Sequence, residues 1–201
     1  MSDELELMTG TTVGIRAKDG VVLAAEKRVS YGFYLMSKSG KKVYPITNRI
    51  GIASSGILAD IQTITKVIRA NIANMEIEMK RPVSVRATAK LLSIMLFQNK
   101  YMPYIAETMV GGIDEEGPRL FILDSWGSLI EDDFAALGNG ARTAIGLIET
   151  GYTSDITVKD AKELAIKAIK EAIARDPTSG DGIDTLTITS NGYVEDSIKL
   201  Q

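Results

Sequence analysis

The chain has 201 residues, 45% hydrophobic and 24% charged, with a net charge of −3; this is ordinary globular usage, long enough for one substantial core, and it offers no basic stripe for nucleic acid. It contains no histidine and no cysteine, which excludes Ser-His-Asp and Cys-His catalysis, thiolate or imidazole metal sites, disulfides and thiol redox chemistry. An enzyme built from it must therefore take its base from an amine or a carboxylate.

Met1 to Gly10 carries Asp3, Glu4 and Glu6 in place of the basic start and apolar run of a secretory signal. Thr12 to Lys18 alternates, with Val13, Ile15 and Ala17 on one side, and Asp19-Gly20 turns it into Val21 to Glu26, a hairpin pattern. Ile50 to Ser54 reads as a further strand. From Ile57 the series Ile61, Ile64, Ile68, Ile72, Met75 and Met79 predicts a long amphipathic helix that stops before Pro82. Ser84 caps a second helix through about Met102, so apolar around its circumference that cover on both sides is expected. Strands follow at Glu107 to Ile113, Leu120 to Leu123 and Phe134 to Leu137, then a short helix near Ala141. Thr157 to Asp160 forms a capping box for a helix ending near Arg175, and Thr185 to Thr189 is a last strand pattern. Hairpin links rather than strict βαβ alternation predict an α+β fold of antiparallel sheets flanked by helices, in one domain. No run reaches the roughly 18 apolar residues of a membrane span. A lack of disulfides fits a reducing compartment, and a cytoplasmic protein is expected.

Gly10-Thr11-Thr12 stands between the acidic leader and the first strand. A threonine hydroxyl needs a base beside it, and a free α-amine, with an ordinary pKa of about 7.7–8.0, can be that base. Cleavage before a threonine supplies both groups in one residue. The plainer alternative is a turn leading into a β-branched strand.

Further along come Ala25-Glu26-Lys27-Arg28, Lys41-Lys42, Ser54 to Asp60, Gly111 to Asp114, Gly138-Asn139-Gly140 and Arg175 to Gly182. In this order and at these separations the set resembles the β subunits of archaeal-type proteasome core particles, N-terminal-nucleophile hydrolases of threonine type, from Thr11 to about Tyr193. The resemblance implies a four-layer αββα sandwich over residues 11–201, preceded by a leader of residues 1–10 that autocatalytic cleavage removes. It implies peptide-bond hydrolysis without a cofactor or metal, in seven-membered rings stacked with α subunits and other β subunits. A regulatory ATPase would feed unfolded proteins to the chamber; neither nucleic acid nor membrane is a partner. Carried onto this chain, the site would comprise Thr11 as nucleophile, Lys42 as buried ammonium, Glu26 as its carboxylate partner and the Gly56 N–H as oxyanion donor. Asp176 and Ser179 would orient amine and water, and Val29, Ser54 and Leu58 would line a specificity pocket.

Two positions depart from the family pattern. Counted back from Lys42 and Glu26, active members place their threonine three residues before the position of Val13, which here is Gly10. Thr11 is one step further on, and one step along a strand moves a side chain about 3.3 Å and to the opposite face. Asn139 replaces a serine between two glycines. One reading is a threonine protease in which a bulge re-aims Thr11; the other is a proteolytically silent, structural or regulatory β subunit in a mixed ring. A remote third, a phosphate- or nucleotide-binding α/β module, comes from Gly138-Asn139-Gly140 before a helix, where Thr143 stands in place of the third glycine.

Overall fold

The computed structural model describes residues 10–31 and 34–200; most of the expected leader, residues 1–9, lies outside them. The hairpin read from the alternation is present as β1 (Thr11–Ala17) and β2 (Gly20–Glu26). With β10 (Phe134–Gly138), β11 (Ile183–Thr189) and β12 (Gly192–Ile198) they form an antiparallel sheet in the order β10-β1-β2-β11-β12. A second antiparallel sheet has the order β5-β6-β7-β8-β9, with β5 at Val43–Pro45, β6 at Ile50–Gly56, β7 at Ala106–Asp114, β8 at Gly117–Leu123 and β9 at Ile130–Glu131. β3 (Val29–Tyr31) and β4 (Tyr34–Ser37) pair only with each other among the described residues.

Three apolar layers hold the stack together. Leu23, Ala25, Ala53, Met109, Leu120 and Leu186 pack between the sheets. Helices α1 (Leu58–Met79) and α2 (Val85–Gln98) cover the second sheet, and α1 buries Ile61, Ile64, Ile68 and Ile72 completely. Each such side chain contributes about 1.5–3 kcal/mol relative to exposure. Helices α3 (Ala141–Gly151) and α4 (Val158–Ile173) cover the first sheet, where Ala161, Ala165, Ala168 and Ala172 let α4 lie close to Val13, Ile15, Val22 and Ala24. The order helix, sheet, sheet, helix is the expected αββα sandwich.

Local chemistry fixes the helix ends. α1 stops where Lys80 turns left-handed (φ 53°) ahead of Pro82. Ser84 Oγ accepts the Ala87 N–H at 3.2 Å to begin α2. The Thr157 hydroxyl accepts the Asp160 N–H at 3.2 Å and donates to the Asp160 carboxylate at 2.7 Å, while Asp19 in the β1–β2 turn accepts the Val158 N–H at 2.8 Å. One hairpin turn thus anchors a helix far along the chain.

Two expectations differ from the structure. α2 ends at Gln98, because the chain turns at Asn99, whose carbonyl accepts the Met102 N–H at 2.9 Å before Pro103. Its outer face is also open: Ile94 and Phe97 are exposed, so the described residues cover α2 on one side only.

Candidate functional site

Gly10, Thr11 and Thr12 send consecutive side-chain directions to different places, as strand alternation requires. A Cβ added to Gly10 would lie 2.5 Å from Glu26 Oε1 and 2.7 Å from Lys42 Nζ. Thr11, fully buried, points elsewhere: its hydroxyl shares a 2.8 Å hydrogen bond with Ser179 Oγ and packs tightly under Gly140. Thr12 turns between the sheets, bonding the Ser54 carbonyl at 3.1 Å and Ser55 Oγ at 2.7 Å.

The Gly10 side holds a buried ion pair. Lys42 and Glu26 are 2% and 1% exposed and in direct contact, and the Lys42 ammonium also donates to the Arg28 carbonyl at 2.7 Å. Glu26 Oε2 accepts the N–H groups of Arg28 (2.6 Å) and Gly180 (3.0 Å). Burial pushes the Glu26 carboxyl above the usual carboxylate range, opposed by Lys42 and by these two backbone donors. β2 delivers Glu26 at its last residue, and Lys42 immediately precedes β5. Gly10 itself has φ 94°, a conformation that glycine adopts without strain.

The Thr11 side is a relay of neutral hydroxyls ending on a carboxylate. Ser179 Oγ donates to Asp176 Oδ2 at 2.6 Å, and Asp176 Oδ1 accepts from the backbone and hydroxyl of Thr178 at 2.9 and 2.7 Å. Asn139 sits on the exposed rim and donates to Thr178 Oγ1 at 3.3 Å. Gly138 pairs with Thr11 across the β1–β10 ladder, so the glycine motif packs against the start of β1; Gly140, at the N-terminus of α3, has no room for a side chain beside Thr11.

Of the residues singled out in the sequence, Glu26 and Lys42 touch each other, and Thr11, Ser179 and Asp176 form one hydrogen-bonded series. Gly56 closes β6 with φ 132°, next to Ser55, whose hydroxyl reaches the start of β1. Ser54 is fully buried and shares a 2.9 Å hydrogen bond with Thr108, while Val29 and Leu58 are partly exposed. Arg28 was not anticipated. Its guanidinium donates to Asp181 at 2.8 Å and to the Pro177 carbonyl at 2.7 Å, tying the 176–182 loop to the start of β3. The only hint in the sequence is the charged run Glu26-Lys27-Arg28 directly after a buried strand.

The model of the family described as "Proteasome subunit" matches residues 7–188. The chain belongs to the proteasome subunit family. It is 94% identical over 200 residues to "Proteasome subunit beta 2" of Caldivirga maquilingensis, covering 100% of both chains. It is 53% identical over 201 residues to "Proteasome subunit beta 2" of Pyrobaculum aerophilum, covering 100% of this chain and 98% of the relative. It is also 52% identical over 198 residues to "Proteasome subunit beta 1" of Hyperthermus butylicus, covering 98% and 96%. Together with the fold, these matches make it a proteasome β subunit of archaeal type, from a family of threonine peptidases that assemble into rings.

Proposed function

We propose that this proteasome β subunit is proteolytically silent: it supplies structure to a mixed β ring and leaves peptide hydrolysis to another β chain. The observation that carries the reading is the side-chain slot facing Lys42. That slot belongs to position 10, and position 10 is glycine. A nucleophile there needs an oxygen within reach of the ammonium, which lowers the cost of ionising a nearby hydroxyl or amine. Thr11 Oγ1 instead engages Ser179 on the far side of the strand. In this reading Glu26, Lys42, Gly56, Asp176 and Ser179 hold the β1 terminus and the 176–182 loop in shape, with no reacting atom at their centre. The relatives' names number two kinds of β chain, beta 1 and beta 2, which fits a ring of more than one type. Stacked seven-membered rings with α subunits, a cytoplasmic setting, delivery of unfolded proteins by an ATPase and residues 1–10 as leader complete the proposal.

A second reading draws on the Thr11–Ser179–Asp176 series. If the bond after Gly10 is cut, Thr11 gains a free amine while its hydroxyl already leads through Ser179 to a carboxylate. Particles assembled from this chain and its partner subunits, treated with a threonine-directed covalent inhibitor and weighed intact, separate the two. The silent subunit emerges without an adduct beside a labelled partner. A chain beginning at Thr11 and carrying the adduct overturns the silent reading.

A further inference from the structure

Two asparagines in the chain are followed by glycine, in Asn139-Gly140 and Asn191-Gly192. This pairing exposes an asparagine amide to loss, because a glycine nitrogen, with no Cβ beside it, closes readily onto the preceding side chain. A larger residue after the asparagine quiets the reaction, and at position 140 the fold forbids one. A Cβ there would lie 2.1 Å from Thr11 Oγ1 and 2.9 Å from Ala172 Cβ. The packing that seats α3 beside the start of β1 therefore fixes a reactive pair on the rim of the site.

The two pairs are held differently. The Thr189 hydroxyl accepts the Asn191 N–H and donates to the Gly192 carbonyl, both at 3.3 Å, and Gly192 is paired with Thr189 in the β11–β12 ladder. Those bonds must open before the Gly192 peptide can turn onto the Asn191 side chain. Asn139 is under less restraint. Its side chain is exposed and its amide donates to Thr178 Oγ1 at a long 3.3 Å, while the Gly140 N–H donates to no acceptor among the described residues. The nitrogen that attacks is unengaged, and the amide that leaves faces solvent.

We propose that Asn139 is a self-modifying site, converted in the folded subunit to aspartate or isoaspartate. The deprotonated Gly140 backbone nitrogen attacks Asn139 Cγ; the new N–Cγ bond closes a succinimide as the Cγ–Nδ2 bond breaks, and the amide nitrogen leaves as ammonia with the proton that Gly140 has lost. Water then opens the ring. Breaking the new N–Cγ bond gives aspartate, and breaking the original peptide bond to the main-chain carbonyl gives isoaspartate. No electrons are exchanged and water is the only co-reactant. The product puts a carboxylate where a donor stood. Thr178 Oγ1 already donates its proton to Asp176 Oδ1 at 2.7 Å, so it has none for residue 139, and the new charge stands one side chain away from the Asp176 carboxylate. Like charges so placed repel, which loosens the 176–182 loop at Thr178. The conversion does not require Thr11 to be processed, so it is independent of whether the subunit is silent.

Particles assembled from this chain and its partner subunits, held warm in mildly alkaline buffer, are sampled over time and digested for peptide mass mapping. The peptide carrying Asn139 is expected to gain the mass of an amide-to-acid exchange and to separate into aspartate and isoaspartate forms. The Asn191 peptide should convert about tenfold or more slowly, because the hydrogen bonds of its turn have to break first. Equal rates, a faster Asn191, or an Asn139 peptide still unchanged when a free synthetic peptide of residues 137–143 has converted each overturn the site. Asn139→Gln should abolish the gain in that peptide, and a gain that persists there belongs to another residue and overturns the assignment. Asn139→Asp reproduces the charge of the product. In it, hydrogen exchange at the Thr178 and Ser179 amides should quicken several-fold while exchange in α1 stays at the parent's rate; unchanged exchange at both amides overturns the loosening of the loop.

Discussion

The two sides of the β1 start are built from different materials. On the Gly10 side two full charges are buried against each other and against backbone groups, around a position that has no side chain. On the Thr11 side an occupied hydroxyl feeds a short series of hydroxyl hydrogen bonds that ends on the Asp176 carboxylate. Burying two charges is costly and yields little net stability compared with an apolar filling. A hydroxyl series is cheap to bury once every member is bonded. The side with the costly groups is the side with the vacancy, and the Thr11–Ser179–Asp176 series on the other side contains no cation. A one-residue difference in register along a strand is enough to part nucleophile and ammonium.

The most drastic way to test that contrast is to restore the register. Inserting a single threonine between Gly10 and Thr11 leaves everything from Thr11 onward in place and puts a hydroxyl beside Lys42. The expected change is from no inhibitor adduct to near-complete labelling of the inserted residue, with the leader released. Once that residue is the first of the chain, the left-handed φ of the slot no longer counts against it. Unlabelled, unprocessed protein would mean that the Gly10 side lacks more than one side chain.

A smaller but still large effect is expected from Lys42→Ala. It leaves the Glu26 carboxylate buried beside the Arg28 and Gly180 N–H groups without its cation, a loss of about 3–5 kcal/mol. Lys42→Met combined with Glu26→Gln removes both charges and should recover most of that loss in denaturant unfolding. If the single and double variants were equally destabilised, Lys42 would be acting through packing alone. In assembled particles neither variant should change the partner chain's turnover per labelled site.

Much of the fold is legible in the sequence. The periods of Ile61 to Met79 and of Val158 to Ala172 placed the two longest helices, because each buries one stripe against a sheet. β3, β4, β5 and β9 run to only two to four residues, too short for alternation to register, and β12 shows an exposed, polar face. The register offset at Gly10 could be counted from Lys42 and Glu26, since β1, β2 and their turn leave no room for slippage between fixed core faces. What counting could not supply was the destination of the Thr11 hydroxyl. Ser179 lies 168 positions away and reaches Thr11 only because α4 ends beside β1. Arg28 is hidden for the same reason: its partners Asp181 and Pro177 lie 153 and 149 positions away, in the loop between α4 and β11.

The smallest effect concerns acid. Arg28, through its hydrogen bond, holds the Asp181 carboxyl below the usual range against the opposing effect of burial, with Lys38 adding to it. A carboxyl lowered in the folded state stabilises the protein above its unfolded value, about 3.9, and that contribution disappears as the pH falls through the folded value. Glu26, raised by burial, has the opposite sign: whatever its shift contributes is present at low pH and lost as the pH rises through its folded value. The acid limb of stability near this site therefore belongs to the Arg28–Asp181 contact and not to the Lys42–Glu26 pair. Asp181→Asn keeps a residue that tolerates the left-handed backbone found there, φ 66°. It should cost no more than about 1 kcal/mol at neutral pH, because the pair is partly open to water. Below about pH 4 its unfolding free energy should fall less steeply than that of the parent chain. Parallel curves for the two proteins across that range would assign the acid sensitivity to groups outside the 176–182 loop.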